Sequence, residues 1–194
     1  MAKTPQSLSL TNVTSPIGNI LLVTDGEVLV SLDYEGYEHR MMRLLAKRYG
    51  PFDLVEAHGE SQTSTLQPLI HQIQAYLAGD LTAIDHIPVN PGGTAFQANV
   101  WQALRSIPPG TVMSYGELAR RLGNPAAVRA VGTTNSLNPI SIVLPCHRVI
   151  GANGSLTGYA GGLDRKRWLL EHEGVELGQL QQPRHEQQLS FFDK

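Results

Sequence analysis

The sequence predicts an α+β protein: a small N-terminal mixed α/β domain over residues 8–88, then a mainly helical C-terminal domain over residues 94–176 that holds a helix-turn-helix. Three observations point there. The first part of the chain combines a β-hairpin pattern with two segments of helical period. A break at Pro91, Gly92 and Gly93 follows it. Beyond the break, helix-start signals crowd into a short stretch. At 194 residues, 41% hydrophobic and 16% charged, the chain can bury one large core or two small ones.

Residues 7–13 alternate in polarity and end at a turn signal, Ser15-Pro16-Ile17-Gly18. Ile20, Leu21, Leu22, Val23 and Thr24 then read as a strand, Asp25-Gly26 as a hairpin turn, and residues 28–33 as the partner strand. Residues 38–49 set Met41, Met42, Leu44 and Leu45 among charges and stop at Gly50-Pro51, which predicts a helix. Residues 52–57 predict a further strand. Residues 66–77 carry Leu66, Leu69, Ile70, Ile73 and Leu77 at helical spacing and end at Ala78-Gly79.

After the linker, Thr94 is the expected N-cap of a helix through Ser106, with Phe96, Val100, Trp101 and Leu104 inward. Ile107-Pro108-Pro109-Gly110 breaks it. Ser114 is the expected cap of residues 115–122, and Glu117, three positions on, completes a capping box. Gly123-Asn124-Pro125 makes a turn, and residues 126–135 form a second helix, so the pair reads as a helix-turn-helix. That second helix opens on Ala126 and Ala127 and carries Ala130 and Gly132. Side chains this small cannot hydrogen-bond base edges, but they allow close approach to a groove. Ile140, Ser141, Ile142, Val143 and Leu144 form an apolar, β-branched run, expected to be a strand or extended stretch ending at Pro145. Residues 151–162 are glycine-rich and predict a loop. Asp164 is the expected cap of an Arg/Lys-rich helix that ends at Glu173-Gly174, and residues 177–194 are expected to form a flexible tail.

The net charge of -2 argues against a nucleic-acid partner, but its distribution does not. Residues 1–95 hold 5 Lys/Arg and 10 Asp/Glu, net -5; residues 96–174 hold 8 and 4, net +4; residues 175–194 hold 2 and 3, net -1. The cations of the basic segment are Arg105, Arg120, Arg121, Arg129, Arg148, Arg165, Lys166 and Arg167. Arginine suits phosphate and base contacts, though a merely solvated face would read the same way. No apolar run approaches the roughly 18 residues of a membrane span, and residues 1–7 lack an apolar signal core. The expected location is the cytoplasm, which also suits a single reduced thiol.

That thiol is Cys146, the one cysteine of the chain, in the tetrapeptide Pro145-Cys146-His147-Arg148. A lone cysteine makes no intramolecular disulfide and is too few for a zinc site of cysteine type. It is either a small buried hydrophobe or a nucleophile with His147 as proton acceptor. The seven histidines, at 39, 58, 71, 86, 147, 172 and 185, show no ligand spacing. No metal and no cofactor is expected.

From Phe96 to Gly174 the chain closely resembles the O6-alkylguanine-DNA alkyltransferases, and is nearest to their microbial, constitutive type. The resemblance rests on Thr94-Ala95-Phe96-Gln97, Val100-Trp101, Ile107-Pro108-Pro109-Gly110 and Ser114-Tyr115-Gly116-Glu117-Leu118-Ala119. It continues through Arg129-Ala130-Val131-Gly132, Asn138-Pro139, Pro145-Cys146-His147-Arg148-Val149, Gly158-Tyr159-Ala160-Gly161-Gly162 and Leu169-Leu170-Glu171-His172-Glu173-Gly174. Weaker similarity extends it to about residues 8–176.

The resemblance implies direct, irreversible, single-turnover transfer of an alkyl group from O6 of guanine in duplex DNA to Cys146, and leaves O4-alkylthymine open as a second substrate. It implies that Cys146 meets His147 through water and that Glu173 orients His147. Tyr115 matches the tyrosine that donates to guanine N3, and Asn138 the residue that brace the turn beneath the site. Arg129 matches the residue that fills the space left by a base flipped from the stack; on charge alone, phosphate binding is its other reading. Tyr159 and the backbones of Val149 and Ala160 match the substrate-pocket wall. The partner implied is double-stranded DNA, approached through the minor groove by Tyr115, Ala126, Ala127, Arg129, Ala130 and Gly132, with the protein a monomer and no membrane involved.

Some members hold zinc through N-terminal cysteines; this chain has none there. Ala160 and Gly116 are small where bulk would favour methyl adducts, so larger alkyl groups are expected to fit. His172 reads as a surface residue, and apart from the motif Glu173 reads as a helix-end carboxylate paired with Arg167 or another nearby cation. Two other function classes compete: a DNA binder without transfer, such as the alkyltransferase-like proteins, which lack the cysteine, and a Cys-His-Glu hydrolase, which would turn over. In the tail, Gln188-Leu189-Ser190-Phe191-Phe192 resembles the short peptides by which bacterial replication and repair proteins hold the sliding clamp. The other reading of these aromatics is packing against their own domain.

Overall fold

The computed structural model describes residues 5–57 and 65–180. Its first half is built on β1 (Gln6–Val13), β2 (Ile20–Thr24), β3 (Leu29–Tyr34) and β4 (Phe52–Glu56). These form one sheet in the order β3-β2-β1-β4. The first three strands pair antiparallel in sequence, as short turns allow. β4 runs parallel to β1; reaching that register takes a crossover, supplied by α1 (Glu38–Tyr49).

Every residue of β2 and β3 is buried, because both faces of the sheet are covered. Alternation sorts the side chains. Leu21, Val23 and Val30 pack with Leu8, and with Met41 and Leu45 of α1. Ile20, Leu22, Leu29 and Leu32 face the other way, into a core shared with Ile73 and Tyr76 of α2 (Leu66–Leu77) and with the second half of the chain.

That second half runs through α3 (Ala95–Arg105), β5 (Met113–Ser114), α4 (Tyr115–Arg121), α5 (Val128–Ser136), β6 (Val149–Ile150) and α6 (Leu163–His172). The capping boxes at Thr94/Gln97 and Ser114/Glu117 are both formed. α4 and α5 pack as the predicted helix-turn-helix. β5 and β6 make a two-rung parallel ladder, Met113 with Val149 and Ser114 with Ile150, which ties the start of α4 to the segment just after Cys146.

Three expectations are corrected. Ala126 and Ala127 do not open the second helix; they lie in a 3-10 turn, Pro125–Ala127, and the helix starts at Val128. The tight connection after Gly123 closes through an i to i-3 bond, Ala127 N–H to Asn124 O at 3.0 Å. Asp164 does not cap α6. Gly162, at φ 92°, is the N-cap, and Asp164 sits in the first turn, where a carboxylate complements the helix dipole. The run 140–144 is no strand. It makes a single bridge, Ile140 with Leu32 of β3, and then coils. Asn138 explains this: its Oδ1 accepts from Ile140 N–H at 3.0 Å and its Nδ2 donates to Leu144 O at 2.7 Å, taking backbone groups that a ladder would have used. Ile142 is driven to φ 67°, a left-handed conformation that costs a β-branched residue about 1–3 kcal/mol.

Candidate active site

Cys146 opens a 3-10 turn, Cys146–Arg148, directly after the Asn138 coil. Its backbone N–H donates to Leu144 O at 2.7 Å. From residue 138 to residue 150 every residue is buried, and Cys146 is 3% exposed. A cavity of about 270 Å³ lies against the same turn, lined by Pro145 and Arg148 together with Ile142, Arg105 and Asp85.

Glu173, at the C-cap of α6, anchors the turn. Its Oε1 accepts from His147 Nε2 at 3.0 Å, Arg148 Nη2 at 2.7 Å and Tyr76 Oη at 2.8 Å, and its Oε2 accepts from Arg148 Nε at 2.9 Å. Arg148 also donates to Ile107 O. Burial works to raise the Glu173 carboxyl, but His147 and Arg148 overcome it and hold the group well below its usual range. An ionised Glu173 is already neutralised by Arg148. A proton on His147 would therefore add a second, uncompensated buried charge, and burial lowers the imidazole below its usual value despite Glu173. A neutral His147 facing a carboxylate through Nε2 carries its proton there. Its Nδ1 is then a lone pair, and it has no hydrogen-bond partner among the described residues.

Burial also pushes the Cys146 thiol up, against the opposing influence of Asn138, Lys166 and Arg40. Lys166 is fully buried. Its Nζ donates to Val149 O at 2.6 Å and Thr157 O at 2.7 Å, pinning the glycine-rich loop to β6. Desolvation lowers its pKa to about 8, with Cys146 acting the other way. Arg40 of α1 comes in from the sheet side, pairs with buried Asp33, and donates through Nη2 to Asn138 O at 2.7 Å and Ser136 O at 3.0 Å.

Around the thiol stand Tyr115 and Tyr159. Tyr115 starts α4, and its phenol is raised by burial against hydrogen bonds from Asn135 and Thr157. Asn135 also donates through Nδ2 to Cys146 O at 3.3 Å, so α5, α4 and the cysteine turn meet at one amide. Tyr159 is set edge-on to His147, with centroids 6.5 Å apart and an interplanar angle of 90°. On the outer surface, Arg129 and Ala130 in the first turn of α5 are exposed, Ala126 beside them likewise, and Ala127 half-buried. Gly132 backs onto Tyr115, whose ring would be 3.8 Å from an added Cβ.

Residues 95–175 match the family described as 6-O-methylguanine DNA methyltransferase, DNA binding domain, and residues 10–91 match its ribonuclease-like domain. The chain is 47% identical over 168 residues to the methylated-DNA–protein-cysteine methyltransferase of Shigella flexneri, covering 85% of this chain and 95% of that protein. It is 45% identical over 161 residues to the Mycobacterium tuberculosis protein of the same name, covering 83% and 89%. The chain belongs to the methylated-DNA–protein-cysteine methyltransferase family. Among solved structures, Mycobacterium tuberculosis OGT in complex with DNA superposes with a TM-score of 0.70 at 38% identity, covering 90% of this chain and 98% of that one. An archaeal O6-methylguanine-DNA methyltransferase from Pyrococcus kodakaraensis superposes with a TM-score of 0.62 at 25% identity, over 87% and 99%.

Within this methyltransferase fold, Cys146, His147, Glu173, Asn138, Tyr115, Val149 and Tyr159 gather around one buried turn, with Ala160 next to Tyr159 and half-buried. Arg129, Ala126 and Ala130 form a separate, exposed face, with Ala127 and Gly132 half-buried behind it. One reading changes. His172 is not simply a surface residue: it stacks on Trp168 with centroids 4.7 Å apart, and its Nε2 lies 2.7 Å from Tyr76 O. Of the partners read for Glu173, Arg167 or another nearby cation, the structure gives Arg148. A Cβ on Gly116 would meet only Arg120 and Ser114, so the argument for larger alkyl groups rests on Ala160 alone. Sequence reasoning missed Tyr76, Asn135 and Lys166. Arg148 and Lys166 were visible only as cations of the basic segment, and Tyr76 comes from the first half of the chain and carries no local signal. Among the described residues, no cluster of His, Cys, Asp and Glu could hold a metal ion, and no helix is long and apolar enough to cross a membrane.

Proposed function

We propose that this chain repairs O6-alkylguanine in duplex DNA by moving the alkyl group irreversibly onto Sγ of Cys146. The observation that supports it most is the setting of His147: Nε2 is committed to Glu173, Nδ1 has no hydrogen-bond partner among the described residues, and the cysteine precedes it in the same turn. The thiol needs help, because burial holds its proton on and only the thiolate is a strong nucleophile. His147 Nδ1 accepts that proton through a bridging water. Sγ then attacks the alkyl carbon, the S–C bond forms as the C–O6 bond breaks, and the electron pair leaves on the guanine, which is reprotonated at the expense of the thiol proton. Tyr115 donates to guanine N3 as charge develops there. A saturated carbon needs no oxyanion hole, and a thioether does not hydrolyse, so each molecule acts once.

A base inside a duplex cannot reach a turn this buried. The substrate nucleotide is flipped out, Arg129 fills the gap, and the small face of Ala126, Ala127, Ala130 and Gly132 lies in the minor groove. Tyr159, with the backbones of Val149 and Ala160, walls the pocket. The protein acts as a monomer in the cytoplasm.

Intact-mass measurement after incubation with a methylated duplex tests this reading. The expected result is one added alkyl mass per chain, located on Cys146, without turnover; an unchanged mass overturns it. A second contact is proposed for residues outside the described region: Gln188, Leu189, Ser190, Phe191 and Phe192 dock on the sliding clamp, a tether that raises the effective concentration at replicating DNA. Deleting residues 186–194 should abolish clamp binding and leave transfer to short duplexes unchanged. Clamp binding that survives the deletion overturns the assignment.

A further inference from the structure

We infer that Tyr34, on the N-terminal sheet, is a positioning residue of the alkyl-acceptor site: its hydroxyl fixes the ring of Tyr159 beside the Cys146 turn and so sets which alkyl groups the site accepts. The inference rests on the assignment of Tyr159 to the pocket wall.

Tyr34 is the last residue of β3 and is fully buried. Its Oη lies 2.6 Å from Oη of Tyr159, and the two rings are 6.2 Å apart at 59°. Burial raises both phenols, so neither ionises near neutral pH, and the contact is a neutral hydroxyl pair away from water. The two residues are 125 positions apart, one on a rigid strand and the other on a loop.

The Tyr34 ring is itself held on two sides. The guanidinium of Arg165 lies over it, 4.7 Å from the centroid, and is fixed in turn by bonds to Ile17 O at 2.8 Å and Gly161 O at 2.9 Å. Gly161 packs so close that an added Cβ would sit 2.4 Å from the ring. Tyr159 also packs on Gly161, whose added Cβ would sit 2.9 Å from its ring. Gly158 and Gly162 flank it at φ 46° and 92°, and a glycine-rich backbone resists rotation poorly. The far end of its ring is held by the 2.6 Å bond to Tyr34, with Ser141 also acting on the phenol. A phenylalanine at 34 would fill the same space; what it lacks is the hydroxyl that holds Tyr159.

A methyl group is the smallest adduct and relies most on close walls to align its carbon with Sγ. A benzyl group brings its own contacts. Loosening Tyr159 should therefore slow methyl transfer more than benzyl transfer. The test is Tyr34→Phe, with single-turnover rates measured by intact mass on duplexes carrying O6-methylguanine or O6-benzylguanine. The benzyl-to-methyl rate ratio is expected to rise about fivefold, the factor that matches one net hydrogen bond, with affinity for undamaged duplex unchanged. Tyr159→Phe removes the same bond from the other end and should give the same ratio, and the double variant should add nothing. A wild-type ratio in Tyr34→Phe, or additive effects in the double variant, overturns the inference alone. Failure of the wild-type protein to gain an alkyl mass overturns the site assignment and this inference with it.

Discussion

The segment 138–150 and the face around the start of α5 are neighbours with opposite construction. The first is buried at every position, and Asn135, Asn138 and Glu173 hold its polar groups, His147 Nδ1 and Ser141 Oγ excepted. The second, from residue 123 to residue 130, is exposed at every position but Ala127, and its one large charged side chain, Arg129, stands in solvent. The contrast fits the two tasks proposed for them. Nucleophilic attack needs groups held in place before the substrate arrives, away from water. Groove binding needs a surface whose partner completes it, and small side chains serve by staying out of the way.

Changing the buried side should abolish chemistry and spare binding. Cys146→Ser is expected to bind methylated duplex like the wild type and to gain no alkyl mass; label transferred to the variant would break the division of labour. Glu173→Gln comes next. Removing the anion leaves Arg148 buried without its counter-charge, a loss of about 3–5 kcal/mol in stability measured by denaturant unfolding. A loss below about 1 kcal/mol would mean that the network around Glu173 is not what holds the turn.

Changing the exposed side should do the reverse. Arg129→Ala is expected to slow repair of duplex DNA by about tenfold or more, since flipping a base costs about a few kcal/mol of unstacking. The same variant should take the benzyl group from free O6-benzylguanine at the wild-type rate. Equal losses on both substrates would place Arg129 in folding or chemistry instead.

The smallest expected effect is an absence of change with pH. Burial holds His147 below the ordinary 6.5. It keeps its lone pair at a pH where a free imidazole is half protonated, so transfer to free O6-benzylguanine should stay level as the pH falls through 6.5 and decline only below it. A rate halved at pH 6.5 would show an imidazole in contact with water.

Much of this arrangement was legible from local signals. The capping boxes at Thr94 and Ser114 and the hairpin around Asp25-Gly26 depend on residues a few positions apart, and they placed α3, α4, β2 and β3 closely. The coil at 140–144 misled because its composition is that of a strand. What decides its path is the side chain of Asn138, competing for backbone groups that apolar patterning cannot see. Tyr34, Tyr76 and Arg40 escaped notice for another reason. Each acts on a partner about a hundred residues away, and no periodicity within the first half of the chain points at the second.

The four bonds on Glu173 also say where a shortened version of this protein would stop working. A chain cut after His172 would still contain Cys146, His147, Asn138 and the whole helix-turn-helix, so a search for the cysteine motif or the two helices would score it as intact. Yet it would leave an arginine and a histidine buried around an empty centre. The length of chain needed for the chemistry is thus set by an acid 27 residues past the nucleophile, from Cys146 to Glu173.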